Sequence, residues 1–180
     1  MRSVLKYAAF IRNIMVGRNG LTREVLCEAF KQGGAGEVNS FLATGNLIFD
    51  GDEGCELEIT AHAAALLVKI GCNEPIFVRS LVYLVAITTF DPFAAAPRDN
   101  IYEQCITFLP GKLSGLAPLP IQSPRRDVEI FSLDEFEAYS ITRKINGRSG
   151  YAGALIERQT GSQVTTRNWK TITRLVEKYA

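Results

Sequence analysis

The chain has 180 residues, of which 47% are hydrophobic and 22% charged, and its 20 basic and 19 acidic side chains give a net charge of +1. This composition is typical of a folded globular protein and excludes an intrinsically disordered chain. The near-zero charge excludes a global attraction to nucleic acid or anionic lipid, so any polyanion binding must be local.

The first half of the chain, residues 1–90, predicts the element order β-α-β-β-α-β. Residues 3–11 combine alternation with an apolar run, which indicates a half-buried or buried strand. Thr22 is the expected N-cap of the first helix, whose apolar residues recur at helical spacing until two glycines end it. A hinge is predicted at residues 91–99, where proline and alanine are frequent.

Two further strands are predicted within residues 38–49, on either side of Thr44-Gly45-Asn46, because a glycine there suits a hairpin turn or a bulge. A second helix follows and is closed by Gly71, and Pro75 then opens a short strand. This order is that of the ferredoxin-like, split βαβ arrangement, in which two helices cover one face of an antiparallel sheet. The other face then needs a second layer or a partner.

The second half, residues 100–180, predicts more strands than helices. A strand at 101–110 and a Pro/Gly-rich stretch precede two alternating runs, 127–132 and 137–143, which should pair as a hairpin. Residues 166–180 predict a last helix, with Thr165 or Thr166 as its N-cap and Trp169 on its apolar stripe. We therefore predict an α+β fold of two ferredoxin-like units in tandem, with mainly antiparallel sheets.

The cysteine and histidine content argues against a metal centre. The four cysteines include no CxxC pair, and His62 is the single histidine. We expect no metal, no cofactor and no disulfide framework. The N-terminal residues are too polar, and their apolar run too short, for a signal peptide or a membrane span. These features predict a cytoplasmic protein without membrane contact.

Three stretches resemble motifs of a known family. RNIMVGRNG at 12–20, ATGNLIF at 43–49 and TTRNWKTI at 165–172 are similar, in this order, to conserved segments of the uncharacterised family called domain of unknown function 1697. The resemblance implies paired ferredoxin-like units and no catalytic residues. In the first motif this chain departs from the family pattern, with Asn13 and Arg18 in place of glycine and Met15 in place of asparagine.

The first candidate site is the loop before the first helix. Arg12, Arg18 and Asn19 follow a strand and precede a helix N-terminus, where free backbone N–H groups and the helix dipole favour an anion. Asn13 tolerates the left-handed backbone that a glycine would adopt there. The alternative is a solvated loop in which Arg12 pairs with a surface carboxylate.

The second candidate lies near the C-terminus, where an arginine in the first turn of a helix is unfavourable unless it has an anionic partner. Arg167 would then contact either a protein carboxylate or a ligand phosphate or carboxylate. Arg143, Lys144 and Arg148 surround an Asn-Gly turn and suggest nucleic-acid contact, with a solvated hairpin tip as the alternative. The predicted ligand-binding residues are Arg12, Asn13, Gly17, Arg18, Asn19, Thr44, Gly45, Asn46, Arg148, Thr166, Arg167 and Asn168.

Three classes of function remain open on the sequence. The first is a binding module that holds a small phosphorylated or carboxylated ligand, or a short single-stranded nucleic acid, through Arg12, Arg18 and Arg167. The second is an enzyme of unassigned class that orients its substrate with Asn46, Thr166 and Asn168. The third is an interaction protein that pairs through a sheet face or edge, as a monomer or a homodimer. We favour the first, because no nucleophile with a base and no paired catalytic carboxylates are evident.

Overall fold

A computed structural model describes residues 3–180, which form an α+β protein with two mainly antiparallel sheets. The chain divides into two compact units, with the boundary between Val85 and Ala86 and with Tyr179–Ala180 counted in the first unit. The elements that begin in the first unit are β1 (Val4–Ile11), α1 (Arg23–Gln32), β2 (Val38–Phe41), β3 (Asn46–Asp52), α2 (Glu56–Val68), β4 (Ile76–Ser80) and α3 (Leu81–Phe90).

The first unit contains a four-stranded sheet with the order β2-β3-β1-β4, in which all neighbours are antiparallel. The predicted order of its elements is confirmed, and so is the helix cap, because Thr22 Oγ1 accepts a hydrogen bond from the Val25 N–H. α1 and α2 supply Leu26, Phe30 and Leu67 to a buried core shared with the strands. This arrangement leaves the loops after β1 and α2 to form a polar surface.

The second face of this sheet is buried as well. Along β1, Tyr7, Ala9 and Ile11 belong to the core shared with the helices, so the alternating residues Ala8 and Phe10 point to the opposite face. Both of these residues are fully buried. A four-stranded sheet with helices on one side would expose its other, apolar face. In this protein both faces are buried at these positions.

The elements of the second unit are a 3-10 turn (Pro92–Ala95), β5 (Glu103–Phe108), β6 (Ile121–Gln122), β7 (Val128–Leu133), β8 (Glu137–Thr142), α4 (Ala152–Thr160), β9 (Thr165–Asn168) and α5 (Trp169–Tyr179). The strands form a five-stranded sheet with the order β6-β7-β8-β5-β9. The predicted hairpin is confirmed as β7 and β8, with an irregularity between Ile130 and Ser132. The described connection from β5 to β6 contains no helix.

The start of the last helix differs from its prediction. Thr165–Asn168 form strand β9, paired with β5, and the helix begins only at Trp169. Two β-branched threonines favour the strand, and a cross-strand hydrogen bond of 2.9 Å joins Thr166 Oγ1 to Thr107 Oγ1. Asn168 Oδ1, rather than a threonine hydroxyl, accepts a hydrogen bond from the Lys170 N–H at 2.9 Å.

The second sheet has a core on each face. α4 covers one face, where Ile130, Ala138 and Ile156 are fully buried. On the other face Trp169 packs against Phe93 and Tyr139, with ring centroids 5.1 and 6.3 Å away, so its predicted role as a core residue is confirmed. Within residues 3–180 no helix has both the length and the apolar character needed to cross a bilayer.

Candidate functional site

Two of the three predicted loops meet in the first unit. The β1–α1 loop contacts the β2–β3 turn through the Val16 N–H, which donates to the Ala43 carbonyl at 2.8 Å. The end of β1 is held in the same way, because the Ile11 N–H donates to the Gly45 carbonyl at 2.8 Å. These bonds fix the path of residues 12–20, which lie far from residues 43–46 in sequence.

The β2–β3 turn supports the neighbouring loop. Gly45 has φ 70°, and a Cβ built on it would lie 2.5 Å from Cγ1 of Ile14. Asn46 is fully buried, and its Nδ2 donates to the Phe41 carbonyl at 3.1 Å and to Thr44 Oγ1 at 3.0 Å. Thr44, Gly45 and Asn46 therefore hold the turn together and position the β1–α1 loop.

The β1–α1 loop uses left-handed backbone conformations at several positions. Asn13 and Asn19 have φ values of 51° and 52°, and Gly17 and Gly20 have 91° and 76°. Asparagine tolerates this region better than most residues, so Asn13 keeps the loop path where the family motif has glycine. The loop is thus compact without being covered by other elements, and Asn13, Gly17 and Asn19 are all exposed.

A cleft of about 450 Å³ lies between this loop and the segment that joins α2 to β4. We call it the loop cleft. Its walls combine amide, cationic, carboxylate and apolar side chains. The residues that line it are Asn13, Ile14, Met15, Arg18, Asn19, Leu21, Ile70, Gly71, Cys72, Asn73 and Glu74.

Arg12 is already paired inside the protein. Its Nη1 lies 2.8 Å from Oε2 of Glu74, and both side chains are partly buried. The Arg12 N–H also donates to the Pro75 carbonyl at 3.1 Å, which joins the end of β1 to the start of β4. The sequence left open the alternative that Arg12 pairs with a protein carboxylate, and the structure has this pairing. The negative charge of Glu74 weakens the attraction of Arg12 for an anionic ligand.

Arg18 differs from Arg12 in its surroundings. It is exposed, it lines the loop cleft, and its guanidinium makes no hydrogen bond or ion pair with any residue in the described range 3–180. Only its backbone is engaged, through the Arg18 N–H to the Met15 carbonyl and the Leu21 N–H to the Arg18 carbonyl. The five donors of this guanidinium face solvent at the cleft.

Side chains of the chain itself already bond to N–H groups at the N-terminus of α1. Glu24 lies in the first turn, and its carboxylate accepts hydrogen bonds from its own backbone N–H and from the Thr22 hydroxyl, which lowers its pKa. Thr22 also satisfies the Val25 N–H. The positive end of this helix is therefore occupied by a carboxylate of the chain itself.

The third predicted loop belongs to the second unit and is part of a strand. Arg167 is buried, and its Nη1 donates to Thr165 Oγ1 at 2.7 Å and to the Thr166 carbonyl at 2.9 Å. Burial lowers the pKa of Arg167 to about 10. Gly153 of α4 packs directly on Thr166, since a Cβ there would lie 2.9 Å from Thr166 Oγ1. The side chains of Arg167 and Thr166 therefore make contacts that stabilise β9.

Asn168 and Arg148 have different surroundings in the same unit. Asn168 Nδ2 donates to Glu103 Oε1 at 3.2 Å, in addition to the contact of its Oδ1 with Lys170. Arg148 lies exposed on a tight turn closed by two backbone hydrogen bonds to Ile145, as a hairpin tip requires. The predicted residues therefore divide into the loop cleft, the turn that supports it, and separate positions in the second unit.

The sequence did not indicate the second wall of the loop cleft. Cys72, Asn73 and Glu74 line it, and their only signal is their position between Gly71, which ends the α2 region, and Pro75. Within residues 3–180, no group of three histidine, cysteine or acidic side chains is arranged to hold a metal ion. The loop cleft brings together three of the predicted residues, Asn13, Arg18 and Asn19.

Comparisons with known proteins give a family and a fold. The model of a family described as "Protein of unknown function (DUF1697)" matches residues 4–139. No curated protein matches the sequence. Among solved structures, the conserved bacterial protein SP0830 from Streptococcus pneumoniae is similar over 98% of both chains, with a TM-score of 0.67 and 18% sequence identity. At this identity the likeness concerns the fold alone.

Proposed function

The chain belongs to the DUF1697 family of proteins of unknown function, and from that premise we propose that it is a binding module for a small ligand carrying a phosphate or carboxylate group. The proposed site is the loop cleft. The observation that carries the proposal is the guanidinium of Arg18, which is exposed at the cleft and makes no hydrogen bond or ion pair with another residue of the described chain.

Arg18 would bind the anionic group directly. A guanidinium presents paired N–H donors whose geometry matches two oxygens of a carboxylate or phosphate, and such charge-assisted bonds are about twice as strong as neutral ones. The exposed amides of Asn13, Asn19 and Asn73 line the same cleft and supply donors and acceptors for the polar remainder of a ligand. Ile14 and Leu21 add apolar contact area beside them.

Replacing Arg18 by glutamine tests the proposal. We expect wild-type protein to be stabilised by at least one member of a panel of inorganic phosphate, nucleotides, sugar phosphates and di- or tricarboxylates, by roughly 2.7 kcal/mol at a hundred times Kd. The R18Q variant should keep the melting temperature of the unliganded protein and lose this shift, because the side chain is exposed. Differential scanning fluorimetry, followed by calorimetric titration, measures both quantities.

The matched control is Arg174→Gln, which removes an exposed arginine from α5. Its ligand-dependent shift should equal that of wild type. If R18Q and R174Q bind the active compound equally well, or if no compound stabilises the wild type, the loop cleft is not an anion site.

Removing the carboxylate of Glu74 should have the opposite effect on binding. Glu74 lines the loop cleft, as Arg18 does, so Glu74→Gln removes a negative charge that repels an anionic ligand there. We expect several-fold tighter anion binding and a loss of roughly 1 kcal/mol in the free energy of unfolding, because the ion pair of Glu74 with Arg12 is only partly buried. The double variant E74Q/R18Q separates the two effects, since it should show the destabilisation without the gain in affinity.

As part of the same proposal, we interpret the chain as two ferredoxin-like halves, residues 1–90 and 100–180, joined by residues 91–99. The strand order β2-β3-β1-β4 with two crossing helices supports this description of the first half. In the second half, the order β8-β5-β9 with α4 between β8 and β9 supports it. The connection from β5 to β6 has no helix there and departs from the pattern.

A further inference from the structure

One end of the second sheet collects exposed cations around an exposed aromatic ring. β5 begins at Glu103 and pairs with the end of β8, where Thr142 also faces Val128 at the start of β7. β9 ends at the same side, because Asn168 pairs with Cys105. The segments just beyond these strand ends therefore lie next to one another, and they carry Tyr102, Arg126, Lys144, Arg148 and Lys170, all of which are exposed.

Specific contacts bring these segments together. Lys144 Nζ lies 4.0 Å from the centroid of the Tyr102 ring, which is 47% exposed. Gly150, two residues beyond Arg148, packs against the side chain of Asp127, which follows Arg126 in the turn before β7. A Cβ on Gly150 would lie 3.0 Å from Asp127 Oδ2. The Arg148 hairpin and the Arg126 turn are therefore neighbours at this end of the sheet.

The cationic side chains of this surface do not form ion pairs with protein carboxylates. We define the basic rim as Arg126, Lys144, Arg148 and Lys170. Within residues 3–180, none of these four makes an ion pair, whereas the adjacent Arg143 is paired with Glu129 at 2.9 Å and Arg125 is paired with the buried Asp127. Asp127 and Glu129 are thus matched by Arg125 and Arg143, and the four cations of the basic rim are left unpaired by either carboxylate.

A cleft beside Tyr102 completes the surface. It has a volume of about 470 Å³ and is lined by Tyr102, Gln104, Glu103, Asn168 and Lys170. An aromatic ring of this kind stacks on the face of a nucleobase, and amide and carboxylate groups bond to the edges of an unpaired base. A duplex offers neither an exposed base face nor a free pairing edge to such a cleft.

From these observations we infer that this end of the second sheet binds single-stranded nucleic acid. The basic rim contacts phosphates, and the Tyr102 ring stacks on one base at the mouth of its cleft, where a polar side chain of the lining contacts the edge of the base. The inference is independent of the proposed anion site, because no residue of the basic rim lines the loop cleft. Arg18→Gln should therefore leave this binding unchanged.

Fluorescence anisotropy with a labelled oligothymidine of about twelve nucleotides tests the inference on the full chain. We expect the protein to bind this oligonucleotide. A plot of the logarithm of the association constant against the logarithm of the salt concentration should have a slope of about −3, because about 0.7 counterions are released for each of four phosphate contacts. Tyr102→Ala should weaken binding by about tenfold, and Tyr102→Phe should not, because only the former removes the stacking ring.

The double variant Lys144→Gln/Arg148→Gln should reduce the salt slope by about half, and the charge-matched pair Arg158→Gln/Arg174→Gln should not. Because both rim residues are exposed, this comparison stands even if Tyr102→Ala fails to fold, which its circular dichroism would show. The inference is overturned by no binding at about 50 mM salt, by equal affinity for a duplex of the same length, or by an unchanged slope in the rim variant. Binding to anionic vesicles as tight as to the oligonucleotide would also overturn it.

Discussion

Gly45→Ala should destabilise the protein by about 2 to 4 kcal/mol. The new methyl group would lie 2.5 Å from Cγ1 and 2.9 Å from Cδ1 of Ile14, and 3.0 Å from the Ile11 carbonyl. Overpacking of this kind typically costs about 1 to 3 kcal/mol, and the φ of 70° adds about 1 kcal/mol for any residue with a Cβ. Urea unfolding followed by circular dichroism measures the change.

Gly54→Ala separates the two contributions. Gly54 also has a positive φ, 84°, but nothing lies within 4 Å of a Cβ built on it. We expect this variant to lose only about 1 kcal/mol, the backbone contribution. Equal losses in the two variants would show that Ile14 moves aside without cost, and the turn would then not be the rigid support of the loop that we describe.

Asn46→Asp should destabilise the protein by about 2 to 4 kcal/mol at neutral pH, although it changes the side chain by one atom. The Nδ2 donor that now bonds to Phe41 and Thr44 would become an acceptor facing the Phe41 carbonyl oxygen. The side chain is fully buried, so the variant carries either a desolvated carboxylate or a protonated acid. Thermal and urea unfolding at several pH values measure this loss.

The penalty of Asn46→Asp should depend on pH in a defined direction. Burial raises the pKa of the new carboxyl in the folded state above its unfolded value of about 3.9, so the folded state binds the proton more tightly. The variant therefore regains stability relative to wild type as the pH falls through the folded pKa, and the recovery is complete below about pH 4. Asn100→Asp, at an exposed position, should show no such recovery, and a pH-independent difference at position 46 would contradict the argument.

The elements of the first unit could be predicted because local signals agree with the tertiary structure. Thr22 caps its helix, and the glycine of Thr44-Gly45-Asn46 adopts the positive φ that the turn requires. The start of the last helix could not be predicted in the same way, because Thr165–Asn168 contain acceptable N-cap residues. Pairing with β5, which is distant in sequence, makes these residues a strand instead.

The candidate site was predicted only in part, for a similar reason. The sequence indicates that Arg12 and Arg18 share a loop. It does not show that Glu74 forms an ion pair with Arg12, or that the side chain of Arg18 remains exposed. That pairing joins residues 62 positions apart. The sequence also predicts Asn46 as a ligand contact, because the pattern does not show that the folded turn buries this side chain.

The Glu24 carboxylate in the first turn of α1 has a consequence for how free anions would meet this helix end. A carboxylate tethered to the helix end acts as an intramolecular competitor, whose effective concentration for a short connection is in the millimolar range or above. A free anion at micromolar concentration therefore competes poorly with the Glu24 carboxylate for this helix end. In the binding function that we propose, recognition of the anionic group would then rest on the side chains of the loop cleft and not on this helix end.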